Sequence, residues 1–231
     1  MTYSIYMTLS AVGNVGKTTV GHHVLASATS GSVCTLETHS ASGDERDAID
    51  RDGLAARLFA PPEGGLVLDV GVGDTVDALV ALTLVARQDP SLPQRLRIVV
   101  PLLTDGKSVA GLRWLFTQMP ERLRPAVRAV WNRVRPGEES SLRDGDIVRA
   151  ARAVIRQGSG RLCAPALHES PLFDPAHPLV RARGSLEAVA SIPDAEIRSA
   201  PLADMPALLA GRDAAQSAQA DCRELFSAIN E

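Results

Sequence analysis

Short apolar runs alternate along the chain with longer stretches in which apolar residues recur at helical spacing. The runs 3–9, 33–36, 66–68, 96–101, 125–131 and 162–164 predict strands. Helical patterns over 17–29, 75–87, 108–119 and 142–156 fall between them, and 40–61 reads as a polar loop and a weakly amphipathic helix ending at Pro61-Pro62. Strands separated by helices of this length predict βαβ units and a mainly parallel sheet. The strands are continuously apolar rather than alternating, which fits burial on both faces. Residues 166–201 carry five prolines and predict an irregular segment. Residues 204–229 are alanine-rich and predict a helix that either caps the sheet or helps the chain dimerise. The expectation is a single α/β domain over 1–231.

Between the first strand and the first helix lies Ala11-Val12-Gly13-Asn14-Val15-Gly16-Lys17-Thr18-Thr19. A glycine-rich turn placed there wraps a phosphate in backbone N–H groups at a helix N-terminus. The pattern is G-x-x-x-x-G-K-[ST], with Ala11 at the first glycine position. Lys17 can reach the β- and γ-phosphates, and Thr18 can place its hydroxyl on Mg²⁺. The alternative is a plain surface turn, which has no use for lysine and threonine at the helix start.

Ligands of parallel sheets collect beyond the carboxyl ends of the strands. Lys17, Glu37, Asp69, Asp105 and Asn132 all fall at such ends. Asp69 closes Leu-Val-Leu-Asp-Val-Gly and can hold Mg²⁺ directly or through a water, with Gly71 or Gly73 sensing the γ-phosphate; the alternative is a turn or capping aspartate, a task Asp74 can take instead. Glu37 can position metal-bound or attacking water. His39 and Asp44 are further candidates there, although the run 44–47 reads best as a solvated loop. Asn132 offers a donor and an acceptor to a base edge, and Arg133 and Arg135 border it or face solvent. Lys107 reads as a surface lysine, or as a phosphate contact on the same rim. His22 and His23 make no metal pair, because helix neighbours point in different directions.

Composition changes this picture little. The formal net charge is −3, which does not advertise a constitutive nucleic-acid binder. All but two of the 24 basic residues are arginine, the exceptions being Lys17 and Lys107. Arginines 113, 122, 124, 128, 133 and 135 read as a basic patch able to contact DNA nonspecifically, or as a solvated face. The three cysteines are far apart, with neither metal spacing nor a disulfide framework; Cys34 and Cys163 read as buried small hydrophobes. Neither a secretory leader nor a membrane-spanning stretch is read, so a cytoplasmic protein is expected.

Together, Gly-Asn-Val-Gly-Lys-Thr-Thr, the Glu-Thr after the second strand, Leu-Asp-Val-Gly at 68–71 and Trp-Asn-Arg at 131–133 resemble the ParA/MinD-like P-loop ATPases, and within them the StbB-type plasmid stability proteins. The resemblance covers roughly residues 3–165. It implies a three-layer P-loop NTPase fold of the SIMIBI type, with six to seven strands and the strand ending at Asp69 beside the first. It implies ATP and Mg²⁺ as ligands, Lys17 and Thr18 as phosphate lysine and magnesium threonine, Asp69 as switch aspartate and Asn132 as adenine contact. The catalytic set would be Lys17, Glu37 and Asp69; Gly13, Asn14, Val15, Gly16, Thr19 and Arg133 would complete the nucleotide site. The implied activity is a weak ATPase switch that positions plasmid DNA or assists conjugation. It would work with a DNA-binding adaptor, as a nucleotide-dependent homodimer in the cytoplasm or on the nucleoid. Two departures stand out: His39 replaces a second acidic residue, and Val12 replaces a lysine that reaches across the dimer. A small-molecule phosphotransferase and a nucleotide-binding scaffold without hydrolysis are the competing readings.

Overall fold

The computed structural model describes residues 4–29, 32–36, 51–135, 142 and 145–231. Six strands among them, β1 (Ile5–Thr8), β2 (Ser32–Leu36), β3 (Leu66–Val70), β4 (Leu96–Leu102), β5 (Val127–Val134) and β6 (Arg161–His168), form one sheet in the order β2-β3-β1-β4-β5-β6. Every neighbouring pair is parallel. The strand ending near Asp69 does lie beside the first, with Thr8 opposite Asp69. The chain leaves β1 toward β3 and β2 on one side, then returns to place β4 on the other. The order therefore reverses at β1, where a crevice opens beyond the strand ends.

Side chains alternate between the two faces of each strand. Ile5, Met7, Leu66, Leu68, Ile98, Val100, Ala129 and Trp131 enter a core built with α2 (Arg51–Phe59), α3 (Thr75–Gln88), α4 (Gly106–Gln118) and α5 (Asp146–Gln157). Tyr6, Val67, Val99, Val130 and Leu167 face the opposite way. They pack on α1 (17–29), whose middle, Val20–Ala26, is wound as a π-helix, and on the C-terminal half of α9 (Met205–Asn230). This is a three-layer α/β arrangement. Thr8, Asp69 and Asn132 share the parity of Tyr6, Val67 and Val130, so the same alternation points them toward the α1 layer.

The short helices α6 (Pro178–Arg183), α7 (Leu186–Ala190) and α8 (Asp194–Ser199) form a satellite core on the first half of α9, through Val180, Leu186, Val189, Ile197, Ala215 and Ala218. The segment expected to be irregular is thus a series of short helices punctuated by proline. The C-terminal helix caps the sheet. Its Ile229 carbonyl accepts from both Arg97 Nε (3.3 Å) and Arg128 Nε (3.2 Å). Two cations at a helix C-terminus answer its partial negative charge.

Two sequence expectations are corrected here. β6 does not stop before Pro165 but runs through it to His168. The register shifts at that point, from Ala129 opposite Leu162 to Trp131 opposite Ala166, and β6 is the sheet edge. A bulge on an edge strand tolerates a residue without an N–H. The arginine patch also loses members. Arg128 is buried, and Arg124 is turned onto the Met119 carbonyl and Glu121. Arg133 and Arg135 lie at the far end of β5, about 20 Å from its start at ~3.3 Å per residue. Cys163 and Cys222 are buried, and burial pushes their thiols up to about 11 and about 12. Among the described residues no helix is long and apolar enough to cross a membrane.

Candidate functional site

The loop between β1 and α1 closes over the α1 N-terminus. Asn14 (φ 59°) and Gly16 (φ 80°) both adopt left-handed backbone. Gly16 is the position with no alternative, because a Cβ there would collide with the Asn132 amide. Val15 is buried and its carbonyl accepts from Asn132 Nδ2 (2.7 Å). Arg133, itself left-handed at φ 55°, reaches the Asn14 carbonyl (3.4 Å). On the other flank, Val12 N–H donates to Ser10 Oγ (3.1 Å), and Thr75 Oγ1 at the start of α3 donates to the Ser10 carbonyl (2.8 Å). The loop is therefore braced by the end of β5 on one side and the start of α3 on the other.

Below the loop, the Asp69 carboxylate is buried and accepts two hydroxyls: Thr8 Oγ1 on Oδ1 (2.7 Å) and Thr18 Oγ1 on Oδ2 (2.6 Å). α1 crosses Asp69 at Gly21, whose pro-Cβ position is at ordinary contact distance, 3.8 Å, from Asp69 Cβ. Lys17 is half-buried; desolvation lowers its pKa from the usual 10.5, and the Asp69 charge pulls it back up. The first turn of α1 carries no acidic side chain. An ammonium short of water, a helix N-terminus and a hydroxyl already aligned on a carboxylate together suit an anion accompanied by a cation. Thr18 and Asp69 fit Mg²⁺, which takes one or two protein oxygens and completes its shell with phosphate and water.

No family model and no curated protein matches the chain.

Of the residues singled out in the sequence, Gly13, Asn14, Val15, Gly16, Lys17, Thr18, Asp69, Asn132 and Arg133 are brought together. Thr19, the third residue of α1, lines a cleft of about 660 Å³ with Asn132, Arg133, His168, Glu169 and Phe173. Glu37, His39 and Asp44 lie outside the described residues. Asp105 is a helix cap, accepting Ser108 N–H at 2.8 Å at the start of α4, and Lys107 beside it is exposed. Asp74 occupies the N-cap of α3 but makes no side-chain capping bond; the expected cap does not form. Val12 packs on α4: its Cγ2 lies 2.8 Å from where a Cβ on Gly111 would be.

The bracing role of Asn132 was not foreseen. Its amide donor is committed to the loop, while its buried Oδ1 has no hydrogen-bond partner among the described residues. His168, Glu169 and the Asp221 that holds His168 Nδ1 (2.7 Å) were also missed. They stand at the carboxyl end of β6, which a strand ending before Pro165 conceals.

His23, on the α1 face next to this cleft, packs on the Phe173 ring and carbonyl. Burial lowers its pKa from 6.5, outweighing the opposing effects of the Phe173 carbonyl and Glu187. The fold thus favours the neutral ring. As pH falls through 6.5 the unfolded chain takes up a proton that the native state resists, so stability declines toward acid. Urea midpoints at neutral and mildly acidic pH should separate for the wild type and draw closer in His23→Gln; an unchanged separation would refute this origin.

Proposed function

We propose that the protein is an ATP-dependent switch of the ParA/MinD-like P-loop type, nearest in character to the StbB proteins, that helps position plasmid DNA or a DNA–protein complex. The observation that carries this reading is the Thr18–Asp69 contact beneath a left-handed glycine loop at the N-terminus of α1. Phosphates would lie on the loop N–H groups and Lys17, with Thr18 and Asp69 holding Mg²⁺. When bound there, the metal would supply charge neutralisation for the phosphates. The 660 Å³ cleft beside Thr19 and Asn132 has the size and placement for a base and ribose, and Asn132 Oδ1 offers an acceptor for an exocyclic amine.

Turnover is read as slow. Val12 is apolar and rests against Gly111, so a nucleotide-dependent homodimer would lack a lysine from this position. The DNA-binding adaptor and plasmid role rest on the sequence resemblance. Direct DNA contact would fall to Arg113 and Arg122, or to Arg133 and Arg135, rather than to all six arginines. A metabolite phosphotransferase would need a defined acceptor pocket near residues 165–180, and the cleft is lined there by His168, Glu169, Phe173 and Asp174; ATP consumption that depends on one metabolite would favour that reading.

The test is calorimetric titration with Mg²⁺·ATP of the wild type and Lys17→Ala, with and without DNA. Loss of the lysine should cost about 2 kcal/mol, or ~30-fold in affinity. Equal affinity in the two proteins would overturn the phosphate-loop assignment.

A further inference from the structure

Four of the eight most exposed large hydrophobic side chains among the described residues gather in one region: Val76, Val80, Leu84 and Trp114. Val76, Val80 and Leu84 are four residues apart on α3, so they form one stripe, 57%, 39% and 44% exposed. Trp114 of α4 stands across from them, and the two helices enclose a groove of about 290 Å³ that Arg87 and Gln118 also line. Scattered apolar residues need no explanation, but a contiguous lined groove does.

The charge around this groove has one sign. Arg87 lines it, and Arg113 and Lys107 are exposed on α4. α4 has no acidic residue, and the single one on α3, Asp77, is only partly exposed. A cationic apolar face is thus presented by a chain whose formal net charge is −3.

We propose that the α3–α4 groove is the docking site for an amphipathic helix of a protein partner, with leucine-like anchors on one face and carboxylates flanking them. A helix meets a helical groove through anchors at i, i+4 and i+7, which matches the four-residue pitch of the stripe. The flanking carboxylates would meet Arg87 and Lys107, which stands two turns before Trp114 on the same face of α4. A second copy of this chain fits less well, because a two-fold contact sets the same patch on both subunits and so sets cation against cation. This inference does not depend on nucleotide binding.

The probes are two fluorescein-labelled helical peptides of roughly 20 residues, identical in their leucine stripe and flanked by glutamate or by lysine. Anisotropy titration of the full chain should show the glutamate peptide binding at least ~tenfold more tightly, with the difference shrinking as salt rises. The double variant Val80→Asp/Leu84→Asp should lose at least ~tenfold. Arg87→Glu/Lys107→Glu, which leaves the apolar stripe intact, should reverse the preference between peptides. Circular dichroism and thermal melting check that all variants fold. Equal binding of both peptides, or binding indifferent to the double variant, would overturn the proposal. So would a dimer in sedimentation that Leu84→Asp dissolves, which assigns the groove to a second copy. Binding to anionic phosphatidylglycerol vesicles without any peptide preference would assign it to lipid instead.

Discussion

Gly16→Ala is expected to lower the proposed Mg²⁺·ATP affinity by at least ~100-fold, about 2.8 kcal/mol. Two costs converge on this position. The backbone is left-handed at φ 80°, which disfavours alanine by about 1–2 kcal/mol. The added methyl also collides with the Asn132 amide, which braces the loop through the Val15 carbonyl. Either the loop shifts or Asn132 lets go, and both outcomes disperse the N–H groups that would receive the phosphates. Gly13→Ala is the matched control. Gly13 does not have positive φ, and its added methyl would meet only Val72 Cγ2 at 3.9 Å, an ordinary contact. Gly13→Ala should therefore retain most of the affinity. Titration of both variants decides the matter: equal losses would mean that the Gly16–Asn132 packing is not what shapes the site.

Asp69→Asn should remove the magnesium dependence of nucleotide binding and reduce turnover by ~100-fold, the scale on which a lost electrostatic stabiliser acts. The carboxylate accepts from Thr8 and Thr18 at once. An amide has one oxygen to offer, and its N–H₂ would force a threonine hydroxyl to turn round. The substitution also removes the charge that holds up the Lys17 pKa against desolvation. Affinity for ATP is to be measured with Mg²⁺ and again with a chelator. In the wild type the two values should differ widely; in Asp69→Asn they should coincide. A variant that keeps the full difference would take the metal away from Asp69.

The strand ends were legible because continuous apolar runs mark parallel strands and a polar residue closes the run, as Asp69 and Asn132 do. Thr8, whose hydroxyl donates to Asp69, lies within the first apolar run, where nothing in the sequence sets it apart. The 17–29 helix and the Asp69 strand needed nothing more. Pro165 misled because proline usually ends a strand, and only the pairing partner shows that this one lies in an edge bulge. That error hid His168 and Glu169, the outer wall of the cleft. Arg128 looked like a surface charge because strand parity alone cannot say that a C-terminal carbonyl, Ile229, waits above it. The α3–α4 groove was equally hidden. α3 is apolar on nearly every side, with Ala78, Leu79, Leu82 and Val85 buried and Val76, Val80 and Leu84 exposed. Hydrophobicity does not say which side of such a helix the rest of the chain leaves uncovered.

Thr75 at the start of α3 bonds the Ser10 carbonyl (2.8 Å), and Val12 meets α4 at Gly111, one turn from Trp114. The two helices that wall the groove are therefore the same two on which the loop rests. If occupancy of one shifts these contacts, the sites share a coupling free energy, and coupling runs equally in both directions. A partner that docks tenfold more tightly on the ATP-loaded chain must itself tighten ATP tenfold. The Val12–Gly111 contact is the point at which occupancy of the groove would first reach the loop.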